Sequence, residues 1–236
     1  MTSPSRKERR EQARAEARAG KRALPLVPDT PSRQALRLRY AAALEAGEPP
    51  SRVVDDAHAE GDARASRVFA RVGSPACRAG CSYCCHLFVS VRADEARRLA
   101  ATLRAFPADR LAEVRGRLAA SAGRTASDPV LPRRACSLLA ADGTCVAYDA
   151  RPFSCRQYHS FDVEACRKVD AGEADAVPSH REAFAVQIEV LQAWLEATAS
   201  RGGDTESYGL EHALRILLDD PGGDLAPARE QGDGRA

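Results

Sequence analysis

The chain has 236 residues, 44% of them hydrophobic but only 5% aromatic, enough for one sizeable domain whose core rests on Ala, Leu and Val. Arginine outnumbers lysine 32 to 3, yet the net charge is only +2, which predicts no field that would argue for nucleic acid binding. No stretch approaches the roughly 20 apolar residues of a membrane span, and the basic N-terminus lacks the apolar run of a secretory signal, so a cytoplasmic chain with no membrane partner is expected.

Residues 1–29 read as a basic tail, disordered or a frayed helix. Positions 1–23 hold eight basic and three acidic side chains, a net +5. A single helical domain is expected over 30–219, with the cysteine region at 74–168 inside it. Thr30-Pro31 is a helix start, and Leu36, Tyr40, Ala43 and Leu44 follow at helical spacing until Gly47 and Pro49-Pro50 stop the run. Ser51 is expected to cap a second helix that lines up Val54, Ala57, Gly61, Ala65, Val68 and Val72 and ends at Gly73-Ser74-Pro75. After the first cysteines, Phe88, Val89 and Val91 predict a short extended piece. A helix then opens near Asp94-Glu95, whose carboxylates suit its positive end, with Ala96, Leu99, Ala100 and Leu103 facing inward. Pro107 separates it from a helix carrying Leu111, Val114 and Leu118, and residues 121–135 read as a loop.

The stretch 136–166 reads as mostly irregular, with a turn at Asp142-Gly143 and a helix stop at Arg151-Pro152. Ser179-His180-Arg181-Glu182 approximates a capping box for a helix with Phe184, Ile188, Leu191 and Leu195 on one face and Trp194 alongside. A last helix carries Leu210, Leu214, Leu217 and Leu218. Residues 220–236, rich in Gly, Asp, Pro and Arg, read as a disordered tail. The fold class is therefore mainly α: a helical shell around an irregular, cysteine-rich metal-binding segment with little β structure.

Eight cysteines carry the chemistry. Four lie within nine residues, as Cys77, Cys81, Cys84 and Cys85, and the others are Cys136, Cys145, Cys155 and Cys166. Thiolates are soft donors that select zinc, copper(I) or iron–sulfur chemistry. Gaps of two and three residues let a chain wrap one ion about 2.3 Å from each sulfur, or wrap an iron–sulfur cubane. Cys84 and Cys85 are adjacent, so they share one ion only through a bent backbone or else belong to two sites. The longer gaps of the second set suit loops that bring further ligands, with His86 and His159 as reserve donors. Four disulfides are the competing reading of an even count. Reduced thiols in a cytosolic chain of this length argue against it.

These residues resemble the YkgJ-like cysteine-cluster proteins, also called the CxxCxxCC, zinc- or iron-chelating, domain. The likeness begins at Cys77–Cys85 with His86 and runs through Phe88–Val91 into Asp94-Glu95-Ala96. It resumes at Cys136-Ser-Leu-Leu, Asp142-Gly143-Thr144-Cys145-Val146-Ala147-Tyr148, Arg151-Pro152-Phe153-Ser154-Cys155-Arg156-Gln157-Tyr158 and Ser160-Phe161 up to Cys166. The resemblance covers about residues 74–168 and implies metal chelation by the cysteines. The first gap is three residues where the family's name has two, which leaves Cys77 the least fixed of the cluster. Arg151 and Arg156 flank Cys155 and are expected to offset thiolate charge.

The leading expectation is a chelating protein that holds zinc or iron, including iron as an iron–sulfur cluster, through these eight cysteines. Two alternatives stay open. One is an enzyme of methyl-transfer or redox type, since bacterial flagellin lysine methylases have a similar cysteine arrangement. Against it, the chain has no G-x-G-x-x-G loop, H-E-x-x-H helix or G-x-S-x-G elbow. The other is a partner-binding module that uses the basic N-terminus. The sequence names no substrate, protein partner or oligomeric state.

Overall fold

A computed structural model describes residues 28–121, 134–174 and 176–225. The basic tail, most of the predicted 121–135 loop and the chain beyond 225 lie outside the described residues. The chain divides at Thr30, and the residues from Pro31 onward form one compact unit.

That unit is mainly helical. Among the described residues its eight α-helices are α1 (Pro31–Glu45), α2 (Pro50–Val72), α3 (Ala93–Arg104), α4 (Ala108–Ala120), α5 (Phe153–Arg156), α6 (Val163–Asp170), α7 (Arg181–Ser200) and α8 (Leu210–Asp219). The strands are β1 (Ser90–Arg92) and β2 (Ser207–Gly209). Among the described residues no helix is long and apolar enough to cross a membrane.

Two helical groups surround the cysteine region. In the first, α7 packs along both α1 and α2. It buries Ile188, Leu191 and Trp194 together with Gln187, Glu189 and Gln192, so it is enclosed on more than the single face its sequence predicts. Phe184, predicted to face inward, is instead exposed, as is Val72 at the end of α2. Tyr40, Val54 and Ala57 complete this core. Arg64 Nη1 donates to Glu189 Oε2 at 3.2 Å, and Arg33 pairs with Glu196, linking the three helices at their margins.

In the second group, α3, α4 and α8 share a core of Leu99, Leu103, Val114, Leu118, Leu214 and Leu217. A two-stranded antiparallel ribbon sets its geometry. Val91 pairs with Tyr208 and Ser90 with Gly209, and each strand runs directly into a helix, β1 into α3 and β2 into α8. The two helices therefore leave from opposite ends of the ribbon, α3 beyond the Arg92–Ser207 pair and α8 beyond the Ser90–Gly209 pair, where Leu210 N–H donates to Val89 O at 2.9 Å. Leu138, Ala147 and Ala150 of the second cysteine segment join this core, as does Leu225.

Two helix starts differ from the sequence expectation. Ser51 does not cap α2: Pro50 opens the helix, Pro49 occupies the cap, and Arg52 N–H donates to Pro49 O. Proline in the first helical position already fixes φ and has no N–H to satisfy, so a side-chain cap is not required there. The capping box before α7 is also absent. His180 stands at the cap in extended backbone, and its N–H donates to His159 Nε2 at 2.9 Å.

Candidate metal centre

The first cysteine block is a turn followed by a single 3-10 helix. Gly80, with φ of 80°, lets the chain reverse so that Cys81 N–H reaches Arg78 O at 3.0 Å. Tyr83–His86 then coil as a 3-10 helix carrying Cys84 and Cys85, whose thiols remain close enough to interact.

The second block is a tight loop. Leu139 bridges Cys145 in antiparallel fashion, Val146 N–H donates to Leu138 O at 2.8 Å, and Ala140 N–H donates to Thr144 O at 2.8 Å. Cys136 and Cys145 thus stand near the two ends of one small hairpin. The Asp142 carboxylate accepts from Thr144 N–H and Oγ1–H, which closes its tip.

The two blocks are joined by backbone. Cys136 N–H donates to Cys85 O at 2.8 Å. The Gly143 and Gly80 turns also touch: a Cβ on Gly143 would stand 3.1 Å from Gly80 O. Ser137 N–H and Oγ–H both donate to Glu211 Oε1, fixing the hairpin to the start of α8.

Cys155 is presented by the single turn α5. Its anchor is Glu95, a buried carboxylate at the start of α3. Glu95 Oε1 accepts from Phe153 N–H at 2.7 Å and lies 2.8 Å from His58 Nε2, and Oε2 accepts from Arg92 N–H at 3.0 Å. Phe153 packs edge-on against His58 and lies over Trp194. Gly61 of α2 faces the same ring, and a Cβ there would stand 3.0 Å from Phe153 Cε1. By sequence position Glu95 is a charge at the start of a helix. That it also holds the Cys155 turn depends on a contact 58 residues away and leaves no local pattern.

The result is one cavity of about 320 Å³ lined by six thiols, those of Cys81, Cys84, Cys85, Cys136, Cys145 and Cys155. Cys77 and Cys166 are offset from it. Cys77 Sγ lies 3.9 Å from Ser160 O, and Cys166, on α6, interacts with the Ser160 side chain and with Cys77, Cys81 and Cys84. Cys84 is electrostatically coupled to members of both groups. Among the described residues no histidine and no carboxylate lines the cavity. Among the described residues no three His, Cys, Asp or Glu side chains are already closed around a single point.

Several of the thiols are shifted upward by their surroundings. Burial pushes the Cys155 and Cys145 thiols up, and at Cys155 the neighbouring Cys136, Cys84 and Cys145 push the same way. At Cys84 the contact with Cys85 is the largest cause, followed by burial. Arg151 opposes these shifts at Cys77, Cys84, Cys145 and Cys155, because its guanidinium faces the group. Arg156 is placed differently. Its Nε donates to Arg151 O at 2.6 Å and its Nη1 pairs with Asp62 of α2, so it clamps the loop to the helix.

The reserve histidines are engaged elsewhere. His159 uses Nδ1 toward Gln157 O and Nε2 toward His180 N–H. His86 Nδ1 lies 3.5 Å from Asp170 Oδ1. Of the acidic residues near the cysteines, Asp162 caps α6 and Glu164 pairs with Arg167.

Residues 76–176 match the family model named CxxCxxCC, described as "Putative zinc- or iron-chelating domain". That match covers less than half of the chain. No curated protein and no solved structure matched the chain. The matched stretch contains all eight cysteines, both arginines beside Cys155 and, among the described residues, every cavity-lining residue except Leu210.

Six thiols with a guanidinium beside them, and no carboxylate among the described lining residues, are soft donors that suit zinc or iron better than magnesium or calcium. In donor type the cavity fits the description of the matched family model. Metal binding would have to displace thiol protons, since the metal ligand is the thiolate.

Proposed function

We propose that this protein chelates zinc or iron through the thiols of its CxxCxxCC domain. The observation that carries the reading is the convergence of six cysteines from separate chain segments on one cavity. Primary ligands come from Cys81, Cys84, Cys85, Cys136, Cys145 and Cys155, whose sulfurs move inward as protons leave. Cys77 and Cys166 stand behind Cys81 and Cys84 as further donors. Arg151 offsets part of the formal −2 charge that four thiolates leave on a zinc(II) centre. Iron in the same thiol set would be carried as an iron–sulfur cluster.

Elemental analysis and a visible spectrum of anaerobically purified protein test this. The reading expects zinc or iron at about one or two equivalents, a cluster showing as brown colour absorbing near ~400 nm. Cys155→Ser or Cys145→Ser should remove most of the metal, and Cys77→Ser distinctly less. Protein free of both metals after expression with each supplied, or Cys→Ser variants that keep full metal content, would overturn it.

A further inference from the structure

The cavity holds more than a thiol set. At about 320 Å³ it lies at the small end of the range for organic ligand sites, roughly 300–1,000 Å³. A single ion bound about 2.3 Å from each sulfur fills little of such a space. Much of the remaining lining is apolar, including Leu87, Val89, Leu138, Leu139 and Leu210.

Two features give the space a direction and a charge. Phe88 and Tyr148 line the cavity, and both are among the few large apolar side chains left exposed, at 40% and 55%. They carry the apolar lining out to the surface. Among the described residues the charged side chains on the lining are Arg78 and Arg151. The Arg151 guanidinium lies over the Tyr148 ring, 3.4 Å from its centroid, and only Nε is committed, donating to Tyr148 O. Its two Nη groups have no protein hydrogen-bond partner among the described residues.

We propose that this cavity is also a binding site for an organic anion with a compact apolar body, in the class of small aryl or alkyl carboxylates. The carboxylate pairs with Arg151, and the body packs on the apolar lining that Phe88 and Tyr148 extend to the surface. An apolar space whose lining carries two guanidiniums, that of Arg151 with both Nη groups uncommitted, favours an anion over its neutral counterpart to the extent that the thiolates leave that charge unspent. A hydrogen bond to a charged group is worth more than one to a neutral group. The site does not depend on which metal the thiols hold.

The test uses the full chain as purified, with 4-phenylbutyrate as probe and 4-phenylbutan-1-ol as its neutral counterpart, titrated by calorimetry. The expected result is saturable one-to-one binding of the acid with a Kd on the order of 1 mM, about tenfold tighter than the alcohol. Tyr148→Ala, on the exposed rim, should weaken both probes several-fold and leave metal content unchanged. Arg151→Leu should abolish the preference for the acid, compared on samples of equal metal content. Absence of saturation below about 20 mM overturns the site. Equal affinity for acid and alcohol, or a preference retained in Arg151→Leu, overturns the anion assignment, because the guanidinium would then be spent on the thiolates. Metal content on the same samples keeps these outcomes apart from the chelation reading, since probe binding can fail with metal fully loaded.

Discussion

The α1–α2–α7 group and the cysteine segments are held together by different forces. The helices bury Tyr40, Val54, Ile188 and Trp194 in a continuous apolar core and link their margins with ion pairs such as Arg64–Glu189. The cysteine segments bury few large side chains of their own. They are held by backbone hydrogen bonds, by the Gly80–Gly143 contact and by polar anchors on neighbouring helices, Glu95 and Glu211. The first kind of structure is stable by area removed from water. The second gathers thiols around a cavity, and a bound ion would cross-link the segments that line it.

The largest expected effect breaks that contrast open. Chelation should speed amide hydrogen exchange across residues 136–158 by orders of magnitude and leave α2 and α7 protected. Structural zinc contributes roughly 10–16 kcal/mol in small peptides. Uniform loss of protection in both regions would show that they form one cooperative unit.

Phe153→Ala attacks the place where the two regions meet. The ring is buried against His58, Gly61 and Trp194 while its own turn carries Cys155. Loss of a buried Phe costs about 3–5 kcal/mol. Denaturant unfolding should show that loss in metal-free protein, and metal affinity should fall with it. A variant with lowered stability but unchanged metal affinity would mean that the Cys155 turn is set from within the cysteine region.

Glu95→Gln keeps shape and most of the hydrogen-bonding capacity but removes the buried charge that accepts from Phe153, Arg92 and His58. We expect a loss of about 1–3 kcal/mol in the same assay. An unaltered midpoint would place the anchoring elsewhere.

The smallest effect concerns pH. Burial pushes the His58 imidazole below its usual range, against the upward pull of Glu95. The folded protein therefore holds this group neutral where the unfolded chain would protonate it, at about pH 6.5. Its contribution is fully present above that pH and is lost as pH falls toward the depressed folded value. The slope is at most about 1.4 kcal/mol per pH unit. His58→Gln should flatten the melting temperature between about pH 5 and pH 7 relative to the parent. An equally steep profile in the variant would assign the acid sensitivity to other groups.

The helices were legible in the sequence because their apolar spacing is strong. Leu99, Leu103, Val114, Leu118, Leu214 and Leu217 are buried, as their periodicity predicts. The failures have local causes. Pro49-Pro50 made a serine cap redundant, and His159 took the backbone donor near the predicted capping box. Strand β2 is three residues, Ser-Tyr-Gly, with no alternation to read, and α6 hides in a segment that looks irregular. At the site, what the sequence makes legible is the crowding of thiols, six of which line one cavity. What the spacing could not carry is which thiols face one cavity, because gaps of eight to ten residues place no constraint on direction. Nor could it separate Arg151, which faces the thiols, from Arg156, which faces Asp62. Those assignments depend on partners far away in the chain.

The most direct test of the central claim is X-ray absorption at the metal edge of the protein as purified, compared with Cys155→Ser. The account predicts a first shell dominated by sulfur at about 2.3 Å, with metal content falling sharply in the variant. A shell of oxygen and nitrogen alone, or the same sulfur shell and full loading in the variant, would contradict it.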